Sequence, residues 1–266
     1  MQFMKKELFS DVAFVMIGQF DSIQRLENAC ITSDYICNQL GGKVYFLEVG
    51  RINNGIFEQI MNSKIVYEFI QDYNPVFHRT KYINYMVNKV HEKIVSIWDV
   101  DVCVSQQQII KTLSAIRERE ADFVYPYDKL FLDVTYEIRD IFLESRDVSI
   151  LQKFQDFMPC LYTPNPVGGV FFARRKTYIE SGGENELFYG WGIEDGERYN
   201  RWLMQGYKIK KISGPVFHFP HPRGINSMME SKEADIIKTR IFLSSIKKQI
   251  HEKRNHKKVS SDNRVP

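Results

Sequence analysis

The feature that most constrains this chain is the form of its apolar runs, which are short and continuous rather than alternating with polar residues. Val12-Ala13-Phe14-Val15-Met16-Ile17 ends at Gly18, Val44-Tyr45-Phe46-Leu47 follows, and Ile94-Val95-Ser96-Ile97-Trp98 comes later. Runs of this kind suit strands buried on both faces, the condition of a parallel sheet covered by helices. Between the first two runs, Ile23, Leu26, Ala29, Cys30, Ile36 and Leu40 recur at helical spacing and stop at Gly41-Gly42. Strand, helix, strand in that order implies a right-handed crossover. The expected class is therefore α/β, with a Rossmann-like, mostly parallel central sheet flanked by helices. A chain of 266 residues, 44% hydrophobic and 26% charged, suffices for one full core.

No apolar run approaches the roughly 20 residues of a membrane-spanning helix, and the N-terminus lacks an apolar core of signal-peptide length, so the cytoplasm is the expected location. Cys30, Cys37, Cys103 and Cys160 have neither paired nor zinc-ligand spacing and are expected to be reduced and buried. The net charge of +3 is unevenly placed, because residues 232–258 are strongly basic. Ile236, Ile237, Ile241, Phe242, Ile246 and Ile250 recur at helical spacing beside those charges. Three readings are open for this stretch: a nucleic-acid contact, a peripheral helix on an anionic membrane surface, or a helix packed on the domain. The expected organisation is a main domain over 1–226, a basic amphipathic helical extension over 227–254 and a disordered tail over 255–266.

Asp99-Val100-Asp101 follows the third run directly. In a strand, residues two apart face the same side, so the pair is expected to present adjacent carboxylates whose repulsion a divalent cation would remove. Ligand sites in open α/β sheets lie beyond the carboxyl ends of the strands, where this pair falls. A second acidic cluster occurs in Gly190-Trp191-Gly192-Ile193-Glu194-Asp195-Gly196-Glu197, a glycine-hinged turn running into the helical pattern of Arg198-Tyr199-Asn200-Arg201-Trp202. Carboxylates at a helix start cap it, but capping accounts for one of them, not three. Upstream, Gly168-Gly169 enters the apolar run Val170-Phe171-Phe172, and Arg79 sits where Phe77-His78-Arg79 opens another helix.

Taken together, these segments resemble the β1,4-galactosyltransferases and related bacterial glycosyltransferases of the GT-A fold, over most of residues 11–225. The resemblance rests on Asp99-Val100-Asp101, on Gly168-Gly169, on Ser181-Gly182-Gly183-Glu184-Asn185-Glu186, and on the Gly190 to Glu197 block in that order. A Phe-x-Arg-x-Lys-x-x-Asn segment of the family is matched at Phe77, Arg79, Lys81 and Asn84. The chain departs from the pattern at Glu184, where the family more often has an aromatic residue.

The resemblance implies a single GT-A domain with a C-terminal helical tail. It also implies a metal-dependent, inverting transfer of a hexose or N-acetylhexosamine, galactose or GalNAc, from a UDP-sugar. The acceptor would be a hydroxyl of a glycan or lipid-linked sugar in a bacterial polysaccharide pathway. Asp101 and His218, with His221 as the alternative, would hold Mn²⁺ or Mg²⁺. Arg79 would face the diphosphate, Asp99 would support the metal or the ribose, Gly168 and Gly169 would let the donor approach the backbone, and Trp191 would offer a face to a sugar ring. Asp195 would act as general base and Glu194 would fix the acceptor. No nucleic-acid partner is expected on this reading, and contact with the inner face of the membrane would fall to the basic helix. Two alternatives stand beside it. A nucleotidyltransferase would carry a Gly-rich basic loop after the first strand, where this chain has Gly18-Gln19-Phe20-Asp21-Ser22. A carbohydrate-binding protein of the same fold would have lost turnover.

Overall fold

The computed structural model describes residues 8–188, 190, 192–224, 236–244 and 246–247. In chain order the strands are β1 (Val12–Gly18), β2 (Lys43–Gly50), β3 (Val66–Gln71), β4 (Ile94–Trp98), β5 (Val102–Cys103), β6 (Phe123–Tyr125), β7 (Phe131–Asp133), β8 (Cys160–Leu161), β9 (Val170–Arg174), β10 (Ile209–Lys211) and β11 (Val216–His218). Seven of them form the main sheet in the order β10-β6-β9-β4-β1-β2-β3. The apolar runs lie where their composition demands: β1, at the heart of the sheet, is buried at every position and pairs in parallel with both β2 and β4. The exception to parallel pairing is β9, antiparallel to β4 and to β6. Reversing that one strand brings its entry, Gly168-Gly169, beside the exit of β4, and the Asp99 amide donates to the Gly169 carbonyl at 2.8 Å.

The second sheet, β5-β11-β7-β8, has four strands. Its register places His218 opposite Val102 on one side and Asp133 on the other.

Of the helices, α1 (Ile23–Asp34) starts at Ser22, whose side chain accepts from the Arg25 amide, and runs through a π-helical turn to Gly41 at φ 76°. The helix α2 spans Ile56–Ile60, α3 Arg79–Lys89, α4 Gln106–Arg117, α5 Tyr136–Ser145, α6 Val148–Lys153, α7 Arg175–Glu180 and α8 Glu194–Gln205. The acidic first turn of α8 suits the positive end of its dipole, and Gly206 closes it in the left-handed region. Trp202 anchors it: the ring stacks on Phe123 of β6 at 3.6 Å and its Nε1 donates to the Ser181 hydroxyl.

One expectation changes. Cys160 is exposed and Cys30 partly so, because β8 is an edge strand and the helix position of Cys30 faces outward; all four cysteines are free, as expected. The tail helix is described over 236–244, where Lys238 is buried while Ile236, Ile237 and Leu243 are exposed. Among the described residues no helix is long and apolar enough to cross a membrane. Residues 225–235, 245 and 248–266 lie outside the described residues, and with them most of the expected extension and the whole of the expected tail.

Candidate active site

A cleft of about 540 Å³ opens beyond the carboxyl ends of β1 and β4. Arg79, Asp99, Asp101, Gly168, Gly169, Glu194, Asp195, His218 and His221 all line it. Nine residues proposed from scattered segments thus share one cavity. The tenth, Trp191, lies outside the described residues.

The two aspartates do not stand side by side on a strand as expected. They occupy the turn between β4 and β5, in which the Val102 amide donates to the Asp99 carbonyl, and their side chains take different partners. Arg79, at the first turn of α3, donates to Asp99 Oδ1 through Nε at 3.1 Å and through Nη2. Burial pushes the Asp99 carboxyl up to about 6 despite that cation, with Asp101 and Asp195 adding to the rise. Asp101 instead faces the late histidines. His221 Nε2 lies 3.2 Å and His218 Nε2 4.0 Å from its Oδ2. Burial alone would raise Asp101, but the His221 contact, His218 and Arg25 outweigh it and hold the carboxyl well below the usual range.

The imidazole tautomers follow from the groups behind them. His218 Nδ1 lies 2.7 Å from Asp133 Oδ1, and His221 Nδ1 lies 2.9 Å from the Pro222 carbonyl. Both partners are acceptors, so each Nδ1 is the donor and Nε2 is the atom of each ring that faces Asp101 and would ligate a cation bound between them. The three ligand atoms lie within 4.8 Å of one another. One carboxylate oxygen and two imidazole nitrogens fit a divalent transition cation, Mn²⁺ better than Mg²⁺, because the latter favours oxygen-only ligands. Both histidines therefore belong to the candidate set, where either one was expected.

Asp195 and Glu194 reach the same cleft from the first turn of α8. Arg198 Nη2 sits 2.8 Å and Arg79 Nη1 3.9 Å from Asp195 Oδ1. Asp195 Oδ2 turns towards Gly168, where a Cβ would stand only 2.6 Å from it. That contact explains a glycine at 168, while Gly169 is required by its φ of 77°. Ile193, just before the pair, has φ 54°, a left-handed conformation that a β-branched residue seldom adopts. Burial, then the neighbouring Asp195 charge, pushes the Glu194 carboxyl up to about 7. Three of the supporting residues carry no motif: Asp133 behind His218, Arg198 behind Asp195, and Tyr127, whose hydroxyl donates to the Gly168 carbonyl at 2.7 Å. Asp133 lies in the stretch of mixed spacing after Leu130, and only the pairing of β7 with β11 reveals its use.

The family model for the N-terminal domain of galactosyltransferase matches residues 150–222, which span β8 to β11 and so include Gly168, Gly169, Glu194, Asp195, His218 and His221. Two solved structures share the architecture. The catalytic domain of Drosophila β1,4-galactosyltransferase 7 in complex with xylobiose superposes with a TM-score of 0.50 at 13% identity, over 85% of this chain and 79% of that one. The chain has a GT-A fold, and its residues 150–222 are similar to the galactosyltransferase family. A mutant of the Drosophila enzyme in complex with manganese, UDP-Gal and xylobiose gives a TM-score of 0.50 at 12% identity, with the same coverage of 85% and 79%. No curated protein sequence matches the chain.

Proposed function

We propose that this chain is a divalent-cation-dependent glycosyltransferase. It moves a hexose or N-acetylhexosamine, of the galactose or GalNAc type, from a UDP-sugar to a hydroxyl of a glycan or lipid-linked sugar, with inversion. The observation that carries the reading is the meeting of two chemistries in one cleft: the Asp101, His218 and His221 ligand set and the Glu194, Asp195 pair both line it. The complexes of the Drosophila enzyme with manganese, UDP-Gal and xylobiose support it.

Asp101, His218 and His221 would hold the cation, which when bound supplies Lewis-acid neutralisation of the departing diphosphate. Arg79 adds a fixed positive charge on the donor side, and its bonds to Asp99 keep the guanidinium from swinging into the cleft. The bare backbone at Gly168 and Gly169 admits the donor. Asp195 Oδ2 takes the proton of the acceptor hydroxyl as that oxygen attacks the anomeric carbon, and the bond from that carbon to the diphosphate oxygen breaks on the opposite face. Inversion follows from that line of attack. Glu194, raised towards neutrality, donates as well as accepts hydrogen bonds and so suits a contact to a second acceptor hydroxyl. In this reading residues 1–226 carry the activity and 227–254 form an extension.

The test is cation-dependent release of UDP from a panel of nucleotide sugars, with and without oligosaccharide acceptors. Asp195→Asn should leave UDP affinity unchanged and lower turnover by about 10²–10⁴-fold, the usual worth of a general base. A variant retaining more than about a tenth of wild-type turnover would remove Asp195 from that role.

A further inference from the structure

Glu184 stands where the resembling family more often carries an aromatic residue, and it is 3% exposed. Its carboxylate accepts from Arg198 Nη1 at 3.1 and 3.0 Å and from the Tyr178 hydroxyl at 2.9 Å. Arg198 is 1% exposed. Its guanidinium lies 4.4 Å from the Phe171 ring centroid and 5.4 Å from that of Trp202. The remaining arm, Nη2, donates to the Val167 carbonyl at 3.2 Å and lies in ionic contact with Asp195 Oδ1 at 2.8 Å, outside hydrogen-bond geometry. Neither Glu184 nor Arg198 is among the residues lining the cleft.

A buried arginine between two carboxylates is a constrained object. Its planar fork fixes the angle at which Glu184 is met, aromatic packing removes its freedom to turn, and its charge draws Asp195 Oδ1 to a fixed point. One oxygen of Asp195 is thereby held while the other is left against Gly168 and the cleft. The same guanidinium fixes the carbonyl preceding Gly168, so the carboxylate and the glycine it touches are referred to one rigid group.

We propose that Glu184 and Arg198 are positioning residues for Asp195: Arg198, locked by Glu184, holds Oδ1 and thereby presents Oδ2 to the acceptor. The proposal rests on Asp195 being the base. Other groups also face Asp195: Glu194 on α8, Arg79 on α3, Asp99 after β4, and the phenols of Tyr125 and Tyr127 at the end of β6. All of these stay in place in the variants below. Glu184 shares the charge of Arg198, and so moderates the pull of that cation on the base.

Two variants therefore shift the base in opposite directions, which a merely structural role would not do. Glu184→Met with Arg198→Met removes the buried pair as a unit, an exchange that is often neutral for stability. It should lower kcat by about 10–100-fold with little change in KM or UDP affinity, the cost of a misplaced reacting group. It should also move the acid limb of the kcat profile to higher pH, because Asp195 loses its nearest cation. Glu184→Gln keeps the shape and leaves the full Arg198 charge on Asp195, so the acid limb should move to lower pH. An unmoved limb in both variants, or kcat within about twofold of wild type in the double variant, would overturn the proposal. If the double variant fails to fold, the direction of the limb in Glu184→Gln decides. Asp195→Asn separates the two readings: full activity there defeats the base assignment itself, whereas inactivity there with an unmoved limb here defeats only the positioning role.

Discussion

Glu194 gives a measurable handle on the cleft. It is 8% exposed, its Oε2 is buried without a hydrogen-bond partner among the described residues, and burial with the adjacent Asp195 raises its carboxyl from 4.5 to about 7. A carboxyl whose folded value lies above its unfolded value contributes stability that is complete below the unfolded value and is lost as pH rises through the folded one. A rise of this size is worth about 3 kcal/mol at roughly 1.4 kcal/mol per unit, since the group is buried and little screened. Glu194→Gln keeps size and shape but cannot ionise. The difference in unfolding free energy between variant and wild type, measured by urea titration in chelator, should therefore grow in favour of the variant. The growth between pH 4.5 and pH 8 should be about 3 kcal/mol, roughly half of it gained by pH 6. In an Asp195→Asn background the like charge is gone, so the same difference should be smaller. A difference constant within about 0.5 kcal/mol across that range would refute the claim that Glu194 is held in a carboxylate-hostile site.

Three further outcomes follow from the geometry. Asp133→Asn should weaken Mn²⁺ affinity by about 10–100-fold in calorimetric titration, because His218 loses the carboxylate that fixes its tautomer; unchanged affinity would remove His218 from the ligand set. Gly168→Ala places a Cβ 2.6 Å from Asp195 Oδ2 and should depress turnover far more than UDP affinity; equal losses would mean that the donor, not the base, needs the space. Truncation after residue 226 removes Lys238, whose Nζ lies 3.5 Å from the Cβ position at Gly190, so it should lower the melting temperature. Reduced binding to anionic vesicles with an unchanged melting temperature would instead assign the tail to a membrane surface.

The fold was legible because parallel strands buried on both faces have an unmistakable composition: β1 and β4 are continuous apolar runs, and such runs have few other places to go. The acidic and glycine motifs were legible because ligand chemistry restricts residue types more tightly than packing does. What the sequence concealed is pairing. The orientation of Asp99 towards Arg79 and of Asp101 towards the histidines depends on a turn at Asp99 to Asp101 that local periodicity describes as strand. Asp133 could not be read at all, because its role exists only through the register that sets it opposite His218, separated from it by 85 residues.

Glu184 shows why a departure from a pattern is informative only in three dimensions. In the chain it is one acid among several near a turn; in the fold it is a buried charge, and such a charge without a partner would cost several kcal/mol. Its partner, Arg198, lies 14 positions on and one helical turn past Asp195. The two residues therefore depend on each other: Glu184 alone would bury an anion, and Arg198 alone would set an uncompensated cation against Asp195. The electrostatic state of Asp195 is thus set from behind, by residues that do not line the cleft, while that of Asp101 is set by the histidines that face the cleft with it.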